Sequence, residues 1–177
     1  MTDPFADELI ALLPRLRRFA LALARAPDAA DDLVQTTCER ALSNRAGFVE
    51  GTRMDAWLFR ILRNAFIDRH RRTRTEGVRV DIDDAPELAA EGAERAADLA
   101  IEVRDAADAI DRLPDDQREI LLLVCVEELS YREAADVLGV PIGTVMSRLA
   151  RARRRLADLL GIDGSPVRSK GGKRTEE

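Results

Sequence analysis

Apolar residues return at three- and four-residue steps over most of the chain, the period of a helix with one buried face. The first run extends from about Phe5 to Arg25, with Leu9, Leu12, Leu13, Leu16, Phe19, Ala20 and Leu23 inward. Pro14 lies within it and is expected to kink the helix or to begin a second piece of it. Pro27 and Asp28 break and restart the chain. Asp28, Asp31 and Asp32 then load the first turn of a second helix with acids, where the positive end of the helix dipole favours them. That helix reaches about Ser43, with Leu33, Val34, Thr37 and Ala41 inward, and a polar turn over 44–52 carries glycines at 47 and 51. A third helix is predicted over about 53–74, with Met54, Trp57, Leu58, Ile61, Leu62, Ala65 and Phe66 as its apolar face. Arg53, Arg60, Asn64 and Arg71 fall in a stripe roughly 140° from the centre of that face, with Arg63 and Arg74 beside it.

The period fails after residue 75 and resumes with Leu99, Val103, Ala106, Ile110 and Leu113. Pro114 stops that helix, and Asp115-Asp116 open another through Ile120, Leu121, Val124 and Cys125. Ser130-Tyr131-Arg132-Glu133 is a capping box, in which Ser130 and Glu133 satisfy orphan amides at a helix start. Gly139 is expected to end that short helix in the left-handed conformation. Val140 and Pro141 complete a tight turn, and a last helix runs from about Ile142 to Leu160. The expected fold is therefore all-α. Two small helical domains, 5–74 and 99–161, are joined by a linker over 75–98, and the tail 162–177 is expected to be disordered.

Composition narrows the class. Of 177 residues 46% are apolar, enough for a core, and only 4% are aromatic, which favours helices over sheets. The longest apolar run, Ile120 to Val126, is too short to span a bilayer, and the acidic N-terminus is unlike a secretory signal. No membrane insertion is expected, and the chain reads as cytoplasmic. Cys38 and Cys125 lie far apart within helical patterns and are expected to be buried free thiols.

The net charge of −5 taken as a sum argues against a nucleic-acid partner, but the charges are segregated. Residues 60–74 hold six arginines and one acid, 76–102 hold nine acids and two arginines, and 148–155 hold five arginines and no acid. Two basic blocks thus flank an acidic one. The second block lies on a helix-turn-helix: a capped short helix, Gly-Val-Pro, then a longer helix. In that longer helix Val145, Leu149, Ala152, Leu156 and Leu159 face inward. Thr144, Ser147, Arg148, Arg151 and Arg155 lie roughly 120° away. Short hydroxyls approach base edges, and arginines bond guanine or neutralise phosphate. A solvated basic face would not need the capped helix and tight turn before it.

These segments together resemble the bacterial sigma factors of the extracytoplasmic-function (ECF) group, over about residues 5–161. Asp31-Asp32-Leu33-Val34-Gln35 with 38–42 is similar to that family's core-polymerase-binding helix. The segment 57–64, then Asp68-Arg69 and Arg71-Arg72, is similar to its promoter −10 helix. Leu113 to Glu119 precedes the capped helix, and Gly143-Thr144-Val145 with 147–153 resembles its −35 recognition helix. Residues 45–54 look closest to the general-stress branch of alphaproteobacteria.

The resemblance implies an alternative sigma factor that binds core RNA polymerase and promoter DNA and promotes melting. It also implies control by an anti-sigma factor. Asp31, Asp32, Leu33 and Gln35 would meet the polymerase. Arg60, Arg63, Asn64 and Arg71 would meet the −10 element, with Phe48 at the pocket for a flipped base. Thr144, Ser147, Arg148, Arg151 and Arg155 would meet the −35 element. The acidic linker would occupy a nucleic-acid path in the polymerase, and core packing is preferred over base stacking for Trp57. Met146 departs from the Lys or Arg that many members carry.

An enzyme is not expected. The single histidine, His70, sits in an arginine cluster, and no phosphate loop, metal spacing or nucleophile elbow is present. No catalytic residue, cofactor, metal or small-molecule substrate is therefore assigned. A sigma-like decoy should lack the arginines of the last helix. A stand-alone helix-turn-helix regulator would leave the Asp31–Gln35 and 57–64 patterns without purpose.

Overall fold

A computed structural model describes residues 3–75 and 104–162. In it α1 spans Pro4–Ala24, α2 Pro27–Ser43 and α3 Met54–Thr75, with a short 3₁₀ turn at Arg45–Gly47. The chain is helical again over 104–111 (α4), then in α5 at Asp115–Leu121, α6 at Tyr131–Leu138 and α7 at Ile142–Leu159. The described residues contain no strand, in keeping with the all-α expectation. Most of the acidic segment 75–98, Leu99, Val103 and residues 163–177 lie outside the described residues.

Local chemistry sets the helix ends. Asp3 caps α1 by accepting from the Phe5 amide at 3.2 Å, and Pro4 occupies the first helical position, where its missing N–H costs nothing. Pro14 does not end α1; it lies on the exposed side, where water can serve the carbonyl that proline leaves unbonded. The capping box forms as expected: Glu133 N donates to Ser130 Oγ at 3.2 Å and Ser130 N to Glu133 Oε2 at 2.7 Å. Gly139 takes φ +63°, which suits a residue without Cβ.

The helix expected through Val124 and Cys125 changes register instead. Residues Leu122–Val126 form a π-helical turn, closed by Glu127 N donating to Leu122 O at 2.9 Å. The extra residue per turn shifts the side chains that follow it. Glu127 ends fully buried, while Glu128 is exposed with a left-handed φ of 56°. Cys125 is exposed, against expectation, and Cys38 is half-buried. The π turn carries Cys125 outward, where Arg153 Nη2 lies 3.7 Å from its Sγ.

One apolar cluster runs from Phe5, Leu16 and Phe19 through Leu58, Phe59 and Leu62 to Ile120, Leu123, Val137 and Leu149, so both halves share a core. Phe59 shows what this means for α3. It lies roughly 115° from the centre of the apolar face read from sequence. Yet it is wholly buried, with its ring edge-on to Phe19 at 5.2 Å. Helix α3 is covered on two sides, by α1 and α2 and by α6.

Charged side chains close the rest of the seam. Glu127 accepts from Arg15 Nε at 2.7 Å and from Arg18 Nη2 at 2.8 Å. Arg15 also reaches Asp55 at 2.9 Å, and Asp55 is held by Arg53 at 2.6 Å. Arg118, 1% exposed, donates to Ala22 O at 2.8 Å and to Asp115 at 2.8 Å. Buried charge is tolerable here because each group is paired and hydrogen-bonded.

Candidate functional site

Two basic surfaces and one acidic one present the residues singled out from sequence, and the structure treats them unequally. On α2 the acidic first turns place Asp31 and Asp32 outward. Asp31 accepts from Arg17 Nε at 2.7 Å and Asp32 from Arg69 Nη1 at 3.3 Å, all four side chains remaining substantially exposed. Gln35 is exposed and donates to Glu39 at 3.0 Å. Leu33 differs: it is buried in the core, so it positions α2 rather than offering a contact from its surface.

On α3, Arg60, Asn64 and Arg71 are exposed on one stripe. Arg63 is not. Its side chain is 17% exposed, and its Nε donates to Glu119 of α5 at 3.2 Å. Burial pushes the Glu119 carboxyl above its ordinary value, against the pull of Arg63. Arg53 meets the Glu128 carbonyl at 3.2 Å and Glu133 at 3.4 Å. Burial raises the neighbouring Asp55, but the Arg53 and Ala56 hydrogen bonds and nearby guanidinium charges outweigh it and hold its pKa low. Acids of the second half therefore occupy Arg63 on α3 and Arg53 just before it.

Phe48 is half-buried in an aromatic trio, 6.0 Å from Phe5 and 5.4 Å from Trp57 between ring centroids. Trp57 accordingly packs within the first half, as preferred from sequence. The ring of Phe48 supports this loop from beneath, while Val49 beside it is exposed.

On α7 the capped α6 and the Gly139 turn hold the helix so that Val145, Leu149 and Ala152 are buried. Ser147 is exposed, and its Oγ donates to Thr144 O at 3.0 Å. Arg151 is exposed, its Nε donating to Ser147 O at 3.3 Å, and Arg155 is exposed on the same side. Thr144 is half-buried. Arg148 turns back to Asp116 of α5 at 3.3 Å with a side chain only 24% exposed, so part of its charge is spent inside the domain. The sequence reading omitted Arg154, which is exposed almost opposite the buried stripe; the same helical period locates it.

Among the described residues no group of three or more His, Cys, Asp or Glu is placed to hold a metal ion. No described helix is long and apolar enough to cross a membrane.

The structure thus sets a capped helix-turn-helix beside a second helical domain with an arginine-lined helix. The family follows from comparison. Residues 9–76 match the model for sigma-70 region 2, and residues 104–156 match that for sigma-70 region 4. The chain is 42% identical over 165 residues to the ECF RNA polymerase sigma factor EcfG of Rhodopseudomonas palustris, covering 93% of this chain and 90% of that one. It belongs to the sigma-70 family, in the ECF group.

Among solved structures it is similar to the sigma factor RpoE in complex with the anti-sigma factor NepR from Bartonella quintana. That likeness has a TM-score of 0.77 and 38% identity, over 92% of this chain and 100% of that one. CnrH, solved with the cytosolic domain of CnrY, is similar at TM-score 0.62 and 28% identity, over 90% and 89% of the two chains.

Proposed function

We propose that this chain is an alternative sigma factor that binds core RNA polymerase in the cytoplasm, brings it to promoters through −35 and −10 elements and promotes melting. The observation that carries this reading is the pairing of two arginine-bearing helices, α3 and α7, one in each domain and each backed by an apolar stripe. A decoy that only captures regulators has no use for Arg151, Arg154 and Arg155 on an exposed face. Asp31, Asp32 and Gln35 form the polymerase contact, carried over from the family resemblance, with Leu33 fixing the helix that bears them. Arg60, Arg63, Asn64 and Arg71, over the loop supported by Phe48, serve the −10 strand. Thr144, Ser147, Arg148, Arg151 and Arg155 serve the −35 duplex. Regions 5–74 and 99–161 act as the two binding domains, with 75–98 between them.

The engagement of Arg63 by Glu119 and of Arg53 by Glu133 supports a closed free form, in which the −10 surface is partly covered by the second domain. Polymerase binding separates the halves. Control by an anti-sigma factor follows the likeness to RpoE, which was solved with NepR, and a role in general stress rests on the resemblance of residues 45–54 to the general-stress branch. Permanganate footprinting tests the reading. With core polymerase, this protein should make thymines near −10 of a cognate promoter reactive, and neither component alone should. Absence of reactivity despite complex formation would remove the melting role.

A further inference from the structure

Helix α7 carries a feature that phosphate binding does not explain. Ile142 and Met146, one turn apart, are large apolar side chains left 46% and 50% exposed. They step across the helix from roughly 50° to 90° from the centre of the buried stripe, toward the exposed Ser147 and Arg154. Beside them stands Gly143, in the first turn of α7. Its backbone is ordinary right-handed helix, and a Cβ built there meets nothing within 4 Å. Neither conformation nor internal packing asks for glycine at this position, although glycine weakens a helix relative to alanine. A residue without a side chain on an open surface is what a close external approach requires.

We propose that Met146, supported by Ile142, reads thymine in the −35 element by packing its thioether on a C5-methyl group, with Gly143 admitting the DNA strand to that distance. The inference rests on α7 being the −35 helix. The N-terminal part of a recognition helix contacts base edges, and in the major groove the thymine methyl is the one apolar mark among the four bases. Arg151 and Arg154, exposed on the adjoining arc with no acid between Gly143 and Leu156, supply the charge that favours a DNA occupant. A Lys or Arg at 146 would seek guanine or phosphate; Met has neither charge nor a strong hydrogen-bonding group to offer.

The test uses a −35-dependent promoter selected by the wild-type holoenzyme from genomic fragments. Each −35 thymine on either strand is replaced in turn by deoxyuridine, which removes only the methyl group. At one position the wild type should lose about fourfold in promoter affinity, the worth of one buried methyl, and Met146→Ala should lose nothing further. An identical response of both proteins at every thymine overturns the proposal. Gly143→Ala gives an independent reading: the thermal midpoint should rise while −35 binding falls. Full −35 binding by that variant would overturn the role given to Gly143. If the wild-type holoenzyme selects no −35-dependent promoter, the sigma reading itself fails, before any methyl has been removed.

Discussion

Glu127 offers the sharpest test of how the two halves hold together. Its carboxylate is 1% exposed and accepts three hydrogen bonds, at 2.7 Å from Arg15 and at 2.8 and 3.1 Å from Arg18. Removing one member of a buried ion pair costs about 3–5 kcal/mol when the remaining charge is stranded. Here it is only partly stranded. Arg15 keeps Asp55 at 2.9 Å, and Arg18 is half-exposed and regains water. The cost of Glu127→Ala is therefore placed at about 2–3 kcal/mol, charged hydrogen bonds being worth about 1.5–3 each. Both partners lie on α1, so the loss falls on closure between the halves. It corresponds to an opening equilibrium about 30- to 150-fold more populated.

Hydrogen exchange followed by mass spectrometry reads such a change even while the closed form dominates. Exchange over residues 118–129 should accelerate by about that factor, with α6 and the N-terminal turns of α7 less affected. Unchanged exchange in that segment, together with unfolding free energy within about 0.5 kcal/mol of wild type, would refute the idea that this network holds the domains closed.

Other perturbations separate binding from folding. Asp32→Ala breaks only an exposed pair with Arg69, worth less than about 1 kcal/mol; its thermal midpoint should stay near wild type while affinity for core polymerase falls, as measured by fluorescence anisotropy. Arg151→Ala should weaken promoter use by about 1–3 kcal/mol with no change in melting temperature, whereas Arg148→Ala, which also loses Asp116, should lower both. Equal weakening by Arg151→Ala on every DNA sequence would mark a phosphate contact instead.

Asp55 has a folded pKa below its ordinary 3.8, so its stabilisation is present above 3.8 and is lost as pH falls through the lower folded value. The stability gap between wild type and Asp55→Asn, followed by denaturant titration, should close in that acid range. Glu119 carries the opposite sign. Its raised pKa means that stability declines as pH rises from 4.5 through the folded value, and the gap between Glu119→Gln and wild type should move accordingly.

Much of this architecture was legible from local pattern. Leu9, Leu16, Leu23, Leu33, Leu58, Leu62, Val145 and Leu149 are buried where the period puts them, and the Ser130 box and Gly139 act as their residue types require. What local pattern leaves out shares a cause. Phe59, Arg63, Arg118, Glu119 and Glu127 are covered or paired by segments distant in sequence, and a period of 3.6 residues reports only the face that a helix buries against its nearest layer. Glu127 additionally depends on the π turn, which depends on hydrogen-bond register rather than on residue type. Candidate site residues were readable where the surface is simply exposed, as at Ser147 and Arg151. They were less so where the fold reuses a charge, as Arg148 is reused by Asp116 and Arg63 by Glu119.

Run-off transcription of a genomic fragment library by purified core RNA polymerase, with and without this protein, tests the central claim most directly. The account predicts transcripts that appear only with the protein and start downstream of a shared −35 and −10 pair, fewer of them with Arg151→Ala. Transcripts identical in the two reactions, and no association of the protein with core polymerase, would contradict it.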